Sequence, residues 1–480
     1  MKTIPDVEIE RRIRAQNPWW DAPHEIPSDK FGLPKRAYFE LLYPHVIEVE
    51  PRRALVLMGP RRVGKTVMLF QAIAAMIESG IPPNNICYVD LQVPLYNRRS
   101  IESLLQCGQR VSNCDNGGTF YMFVDEIQYL PNWEMHLKNA VDEFGSNVKF
   151  IVSGSAAAAL KLKSDESGAG RFTDFFLPPV TFYEFLTLTD RDQVKVTRKP
   201  NGTVNISWDN TELLNAAFID YLNYGGYPEA LFSAAVRANA ARYIGSDIIE
   251  KVLLKDLPSL YGIHDVQELN SLFNVLAYNT SNEVSLDSLS KTSGVAKNTI
   301  KKYITYLESA FLIKVLNRVD MSAKKFARAN FFKVYLANPC MRSALFSPVS
   351  VDDEAMGAMA ETAVVSQWFH STREPLFYSR WTGGEVDLVR LSEGTLKPEW
   401  VVEIKWSDRI VSHTNELKSL TTFLKKHPDC PAKCTTISIA DMNGCVQRSE
   451  VEFWPTAVYS YYVGYNVIRQ KGQALISVSF

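Results

Sequence analysis

Three scarcities narrow the class of this 480-residue chain. It has no apolar run approaching the roughly 20 residues of a membrane span. Its opening, MKTIPDVEIERRIR, carries charge where a secretory leader needs an apolar stretch. No membrane partner is therefore expected. Cysteines number 7, an odd count scattered along the chain. His427, Cys430, Cys434 and Cys445 lie close together but lack the paired CxxC rhythm of a zinc site, so they read as ordinary thiols. A cytoplasmic protein with reduced cysteines is the expectation. An excess of one charge is missing too. Lys+Arg 52 against Asp+Glu 53 leaves a net charge of −1, so any nucleic acid has to be met by a local basic patch. Against these absences, 46% hydrophobic and 22% charged residues are ordinary for a globular protein. The length allows about three domains.

Short apolar runs at Ala54–Met58, Ile86–Leu91, Phe120–Val124 and Val148–Val152 read as buried parallel strands. Helical periodicity separates them, over 64–79 (Val67, Leu69, Phe70, Ile73, Met76, Ile77) and Trp133–Phe144. Strands alternating with helices imply an α/β fold with a doubly wound parallel sheet. Before it, a short helix is expected around Arg36–Leu42. After it, Pro178-Pro179 breaks the pattern, Arg191–Asn210 looks like a polar excursion, and Ala216–Leu260 is mostly helical. The last residues, Ala474–Phe480, read as a strand.

The chemistry begins at Gly59-Pro60-Arg61-Arg62-Val63-Gly64-Lys65-Thr66, with Val67 opening the helix that follows. It fits G-x-x-x-x-G-K-[ST] between a buried strand and an amphipathic helix, the context that phosphate binding needs. The glycines let backbone N–H groups turn toward phosphate oxygens, and the helix N-terminus adds its positive end. Lys65 is expected on the β/γ-phosphates of ATP and Thr66 on Mg²⁺. Tyr121-Met-Phe-Val-Asp125-Glu126 then ends a strand in two carboxylates. Asp125 is expected to hold the Mg²⁺ shell and Glu126 to activate the attacking water. Ser153 ends the next strand, either sensing the γ-phosphate or simply forming a turn.

GPRRVGKT, FVDEIQYLPNWE, FIVSGSAAAAL, Gly170-Arg171, LPPVTFYEFL, Gly225-Gly226-Tyr227-Pro228-Glu229 and GEVDLV…VVEIKWSD together resemble prokaryotic AAA-type (P-loop) ATPases. Those relatives carry a winged helix and a restriction-endonuclease-like C-terminal domain of unassigned function. The resemblance implies Arg171 as an arginine finger, in cis or from a neighbouring subunit of a homo-oligomer. It also implies a lid turn at Pro228 over the nucleotide base. A surface arginine and a plain helix-breaking turn would look the same.

Two later segments bear on DNA. Ser285–Lys291, the turn at Gly294 and Ala296–Ser309 have helix-turn-helix spacing, with Lys297, Lys301 and Lys302 away from the apolar face. The wing strand is expected at Phe311–Leu316. Such a unit contacts either DNA phosphates or another protein. Asp387, Glu403 and Lys405 on two neighbouring strands, with Glu361 on the helix Met359–Phe369, fit the PD-(D/E)XK arrangement. There the carboxylates of Glu361, Asp387 and Glu403 would hold Mg²⁺ and Lys405 would act on the water. Val386 departs from the signature's Pro, and a degenerate domain kept for assembly would read similarly.

The expected division is an N-terminal arm over 1–35, a P-loop ATPase domain over 36–190 and a helical lid over 191–265. A winged helix over 266–330 and a nuclease-like α/β domain over 331–480 complete it. The function expected is ATP hydrolysis acting on DNA, duplex or branched, as a motor or switch coupled to the nuclease-like domain. The alternatives are a STAND-like signalling switch and an ATP-regulated scaffold.

Overall fold

The computed structural model describes residues 5–22, 26–27, 32–96, 99–114, 118–155, 170–198, 204–324, 330–369, 376–392, 394 and 397–476. The chain divides into two compact units, Met1–Pro178 and Pro179–Phe480. The division falls between the two adjacent prolines.

The first unit is built on five parallel strands: β1 (Ala54–Met58), β2 (Ile86–Asp90), β3 (Phe120–Asp125), β4 (Val148–Gly154) and β5 (Phe172–Phe176), in the order β2-β3-β4-β1-β5. All ladders are parallel, and β1, β3 and β4 are buried along their whole length. A strand buried on both faces has no polar side, which is why these runs are continuously apolar. Because the strands run one way, their C-terminal ends share one edge of the sheet. The loop after β1 and the carboxylates ending β3 meet there. The helix after the loop is Lys65–Glu78.

The N-terminal arm covers the sheet's edge. Helix Asp6–Gln16 leads to Asn17, whose amide bonds Tyr88 on both sides. Tyr88 N–H donates to Oδ1 at 2.6 Å and Nδ2 donates to Tyr88 C=O at 2.8 Å. Trp19 and Trp20 Nε1 both donate to Ile86 C=O, at 3.1 and 2.8 Å. Side chains thus replace a missing strand beside β2 and satisfy its outer backbone groups. The helix expected around Arg36–Leu42 begins later, at Phe39, and runs to Ile47. Arg36 stays outside it because its guanidinium is committed to Val63 C=O (3.1 Å) and Pro178 C=O (2.8 Å).

In the second unit, β6 (Val194–Arg198) and β7 (Val204–Trp208) form a hairpin where a polar excursion was expected. The larger sheet has eight strands. They are β8 (Glu283–Ser285), β9 (Ile313–Val319), β10 (Phe331–Leu336), β11 (Leu376–Trp381), β12 (Gly384–Leu391), β13 (Pro398–Glu403), β14 (Ala432–Thr436) and, after the two-stranded ribbon β15 (Cys445–Val446) and β16 (Ser449–Glu450), β17 (Glu452–Pro455). The order is β17-β14-β13-β12-β11-β9-β10-β8. The boundary expected at 330/331 falls between β9 and β10, which pair with each other, while β9 also pairs with β11. The strands of the proposed winged helix and of the proposed nuclease-like domain are one sheet. Helix Val266–Tyr278 packs beside β10, Leu286–Ser293 beside β8 and Lys297–Ser309 beside β9. Ser285 caps the second of these in a reciprocal bond with Ser288, and Gly294 ends it at φ 75°.

The terminal strand expected at Ala474–Phe480 is corrected: Thr456–Ile476 is one helix, and 477–480 lie outside the described residues. Buried Ala457, Val458, Tyr461 and Ile468 set a helical period that simply continues.

Candidate nucleotide site and a second carboxylate cluster

The loop between β1 and helix Lys65–Glu78 has the fold its glycines permit. Gly64 has φ 97° and Arg62 φ 64°, left-handed values that turn successive N–H groups to one side. At Gly59 a Cβ would lie 2.2 Å from Leu177 C=O, so only glycine fits against the chain leaving β5. Lys65 is buried, and its ammonium donates to Gly59 C=O (3.0 Å) and Pro60 C=O (2.8 Å). Pro60, Arg61 and Val63 lie in this loop and Val67 in the first turn of the helix after it.

Asp125 is the hub beside it. Its Oδ2 accepts from Thr66 Oγ1 at 2.7 Å and from Tyr88 Oη at 2.8 Å. Its Oδ1 accepts from Ser153 Oγ and from Glu126 N–H, the latter at 3.2 Å. Four elements therefore converge on one buried carboxylate. Tyr88 was not legible as a site residue, because it reads simply as part of an apolar strand. Burial first, then Asp125, pushes the Tyr88 phenol far above its ordinary value, so it acts only as a donor here. Ser153 touches Asp125 and the Glu126 N–H (3.1 Å).

Glu126 has φ 56°, a left-handed conformation uncommon for this residue type. Its carboxylate accepts from Gln128 Nε2, and Gln128 Oε1 accepts from Ser155 N–H at 3.1 Å. Gln128, two residues beyond the motif, holds Glu126 against the end of β4.

Arg171 is not brought to this edge. It precedes Phe172, which pairs with Ala54, whereas the loop follows Met58, the partner of Phe176. Five residues of extended strand, about 16 Å, separate the two ends. Arg171 pairs instead with Asp142 on the surface. The cis half of the arginine-finger expectation is thereby corrected. Pro228 lies in the other unit, opening helix Pro228–Phe232. Its turn is packed closely there: a Cβ at Gly226 would lie 2.6 Å from the Asn338 side chain and 2.8 Å from Cys340 Sγ.

The residues at the loop suit a magnesium nucleotide. A hydroxyl and a carboxylate lie side by side, a lysine caps the loop, and backbone N–H groups open a helix.

The second unit brings together Asp387, Glu403 and Lys405, as expected. Lys405 Nζ lies 2.8 Å from Glu403 Oε1 and 3.6 Å from Asp387 Oδ2. Leu388 pairs with Val402, which sets the next residues, Asp387 and Glu403, alongside each other. A β-bulge helps: between Phe377–Val389 and Ser379–Val386, β12 carries one residue more than β11. Glu361, on helix Met356–Trp368, joins the cluster differently from the expectation. It accepts from Tyr335 Oη (2.6 Å) and pairs with Lys333 (3.0 Å). Lys333 also meets Glu385 at 2.7 Å and Asp387 at 3.3 Å. Burial pushes Glu361 and Glu403 up to about 7, with nearby lysines opposing the shift. Burial works against ionising Asp387 as well, but Lys405 and Lys333 hold its carboxyl below the usual range.

These residues do not suit a divalent metal. Both Asp387 oxygens already take protein donors, including Ile404 N–H at 2.9 Å. Among the described residues, no group of three or more His, Cys, Asp and Glu side chains is arranged to hold a metal ion. Lys333 and Lys405 thus lie against Glu361 Oε1, both Asp387 oxygens and Glu403 Oε1, the carboxylates from which a metal site was expected. Among the described residues, no helix is long and apolar enough to cross a membrane.

Residues 51–186 match the family model described as an AAA domain, and residues 215–352 match a domain of unknown function. An uncharacterized protein of Haemophilus influenzae is 25% identical over 299 residues, 60% of this chain and 68% of its own. Among solved structures, the Aeropyrum pernix ORC1 protein in complex with DNA is 13% identical with TM-score 0.28, covering 69% of this chain and 96% of that one. RuvB of Thermotoga maritima is 17% identical with TM-score 0.28, covering 61% and 89%. Likenesses this low carry nothing over to the function of this chain. Residues 51–186, the stretch that matches the AAA domain, contain the five parallel strands of the first unit and the loop after β1.

Proposed function

We propose that this chain is an ATP-hydrolysing AAA-type protein that acts on DNA as a motor or switch. The observation that carries the ATPase half is the Asp125 hub, with Thr66 Oγ1 at 2.7 Å and Glu126 adjoining. Lys65 and the N–H groups of the loop bind the nucleotide phosphates, and Thr66 and Asp125 hold the magnesium. The ion supplies charge neutralisation at the phosphates. Glu126, steadied by Gln128, orients the attacking water and takes its proton. Arg171 acts from a neighbouring subunit of a homo-oligomer, since the loop of its own chain is at the far end of β1.

The DNA half is supported by the helix Lys297–Ser309. Helix, strand, two helices and two strands follow in the order of a winged helix. Ile300, Tyr303, Ile304 and Leu307 face inward, while Lys301 and Lys302 are exposed. Lys297 pairs with Asp287, so its charge is partly spent within the unit. Two lysines suffice for phosphate contact without sequence reading. The scaffold reading of the second unit is favoured over a coupled nuclease by one observation: Lys333 lies among the carboxylates that would hold a metal.

ATP turnover measured without DNA, with duplex DNA and with branched DNA tests the proposal. Stimulation of several-fold supports it. Turnover indifferent to every DNA form would move the lysine helix to a protein-binding role and favour a signalling switch.

A further inference from the structure

Lys333 belongs to no motif. It lies on β10, 54 residues before Asp387, yet its ammonium sits at the centre of the carboxylate cluster. Three carboxylates surround it: Glu385 Oε1 at 2.7 Å, Glu361 Oε1 at 3.0 Å and Asp387 Oδ1 at 3.3 Å. The ammonium donates hydrogen bonds to Glu361 and Asp387 and pairs electrostatically with Glu385. The Lys333 side chain is 3% exposed, so water has little access to its ammonium. Burial alone would strip such a lysine of its proton, but Glu361, Asp387 and Glu385 keep it charged. On the other side Lys405 pairs with Glu403 and Asp387, and Ile404 N–H takes an Asp387 oxygen. One oxygen of the cluster, Glu403 Oε2, is buried with no hydrogen-bond partner. A magnesium ion needs about six oxygen ligands at close to 2.1 Å, several of them from water or substrate. To reach Asp387 it would have to lie beside Lys333 and Lys405, where like charges repel.

We propose that Lys333 is the built-in cation of this cluster, so the folded second unit binds no divalent metal there and does not cleave phosphodiesters through Asp387 and Glu403. The lysine does what a metal would do structurally. It neutralises carboxylates from β12 and from helix Met356–Trp368 and pins that helix to the sheet. Nucleotide chemistry in the first unit plays no part in this role.

Mn²⁺ uptake by the nucleotide-free full-length chain, read by electron paramagnetic resonance, tests it. Wild type should show no stoichiometric Mn²⁺ whose uptake Asp387→Asn removes, at concentrations on the order of 1 mM. Lys333→Met, which keeps the length and loses the charge, should gain one such Mn²⁺ if circular dichroism shows it folded. Asp387→Asn in that background should lose it again. Removing one partner of a buried ion pair can unfold a protein, so wild type alone decides if Lys333→Met does not fold. One wild-type Mn²⁺ per chain that Asp387→Asn abolishes would overturn the proposal, as would Mg²⁺-dependent DNA cleavage lost in the same variant. A folded Lys333→Met that takes up no Mn²⁺ would also overturn it, because the cluster would then not be a cation position.

Discussion

Asn17→Ala is the sharpest test of how the arm completes the first unit. Asn17 is fully buried and stands in for a strand beside β2, taking Tyr88 N–H at 2.6 Å and giving to Tyr88 C=O at 2.8 Å. Alanine removes both partners and, with them, the Nδ2 bond to Ile13 C=O (2.7 Å) at the end of the helix before it. Each buried backbone group left unpaired costs about 1–3 kcal/mol, so the two together cost about 2–6 kcal/mol. Water entering beside β2 would bring the loss toward the lower end. Trp20→Phe is the internal control. It deletes one donor to Ile86 C=O, but Trp19 still donates to the same oxygen at 3.1 Å, so the loss should be only about 0.5–1.5 kcal/mol. Urea unfolding, together with hydrogen exchange of the peptide holding Tyr88, reads both. An Asn17→Ala loss below about 0.5 kcal/mol, or one no larger than that of Trp20→Phe, would refute the edge-completion argument.

Other outcomes follow from the same geometry. Lys65→Ala should weaken nucleotide binding and turnover together, since its ammonium caps the loop proposed to hold the phosphates; equilibrium binding of a fluorescent ATP analogue checks the first half. Lys301→Ala with Lys302→Ala should weaken DNA binding alike for all sequences. The slope of log affinity against log salt should fall by about one unit for each lysine–phosphate pairing the substitutions remove. Lys149 carries a pH signature. Its ammonium is buried against Arg53 C=O at 3.0 Å, and burial lowers it to about 8, with Glu48 opposing. The unfolded chain then binds more protons than the folded one above pH 8. Stability of the first unit should therefore rise between about pH 8 and 10 from this residue, and Lys149→Met should remove that rise in chemical denaturation curves.

The site legible in the sequence was the part whose chemistry is contiguous. Gly59 to Thr66 must be one stretch because a tight loop and a helix N-terminus are made from neighbouring residues. Asp125 and Glu126 stood out because two acids end a buried strand downstream of the loop; such a pair alone is common as a helix N-terminal charge. What escaped came from tertiary convergence. Tyr88, Gln128 and Arg36 reach the site or its loop from separate elements and carry no signature in their own surroundings. Arg171 was placed by resemblance, and only the register of β5 on β1 shows its distance from the loop. In the second unit, two-residue alternation pointed to Asp387 and Glu403, but a bulge in β12 interrupts that alternation. Lys333 shows the limit most clearly. A lysine amid Phe332 and Val334 reads as a strand residue, and only the folded sheet brings it to Glu361 and Asp387. The division between winged helix and C-terminal domain failed similarly, because β9 pairs with both β10 and β11.

The central claim is that the Asp125–Glu126 pair hydrolyses ATP held by the loop after β1. Glu126→Gln, measured for both nucleotide affinity and steady-state ATP turnover, tests it directly. The account predicts affinity near that of wild type and turnover lowered about a hundredfold or more, because only water activation is lost. Turnover within a few-fold of wild type would contradict it.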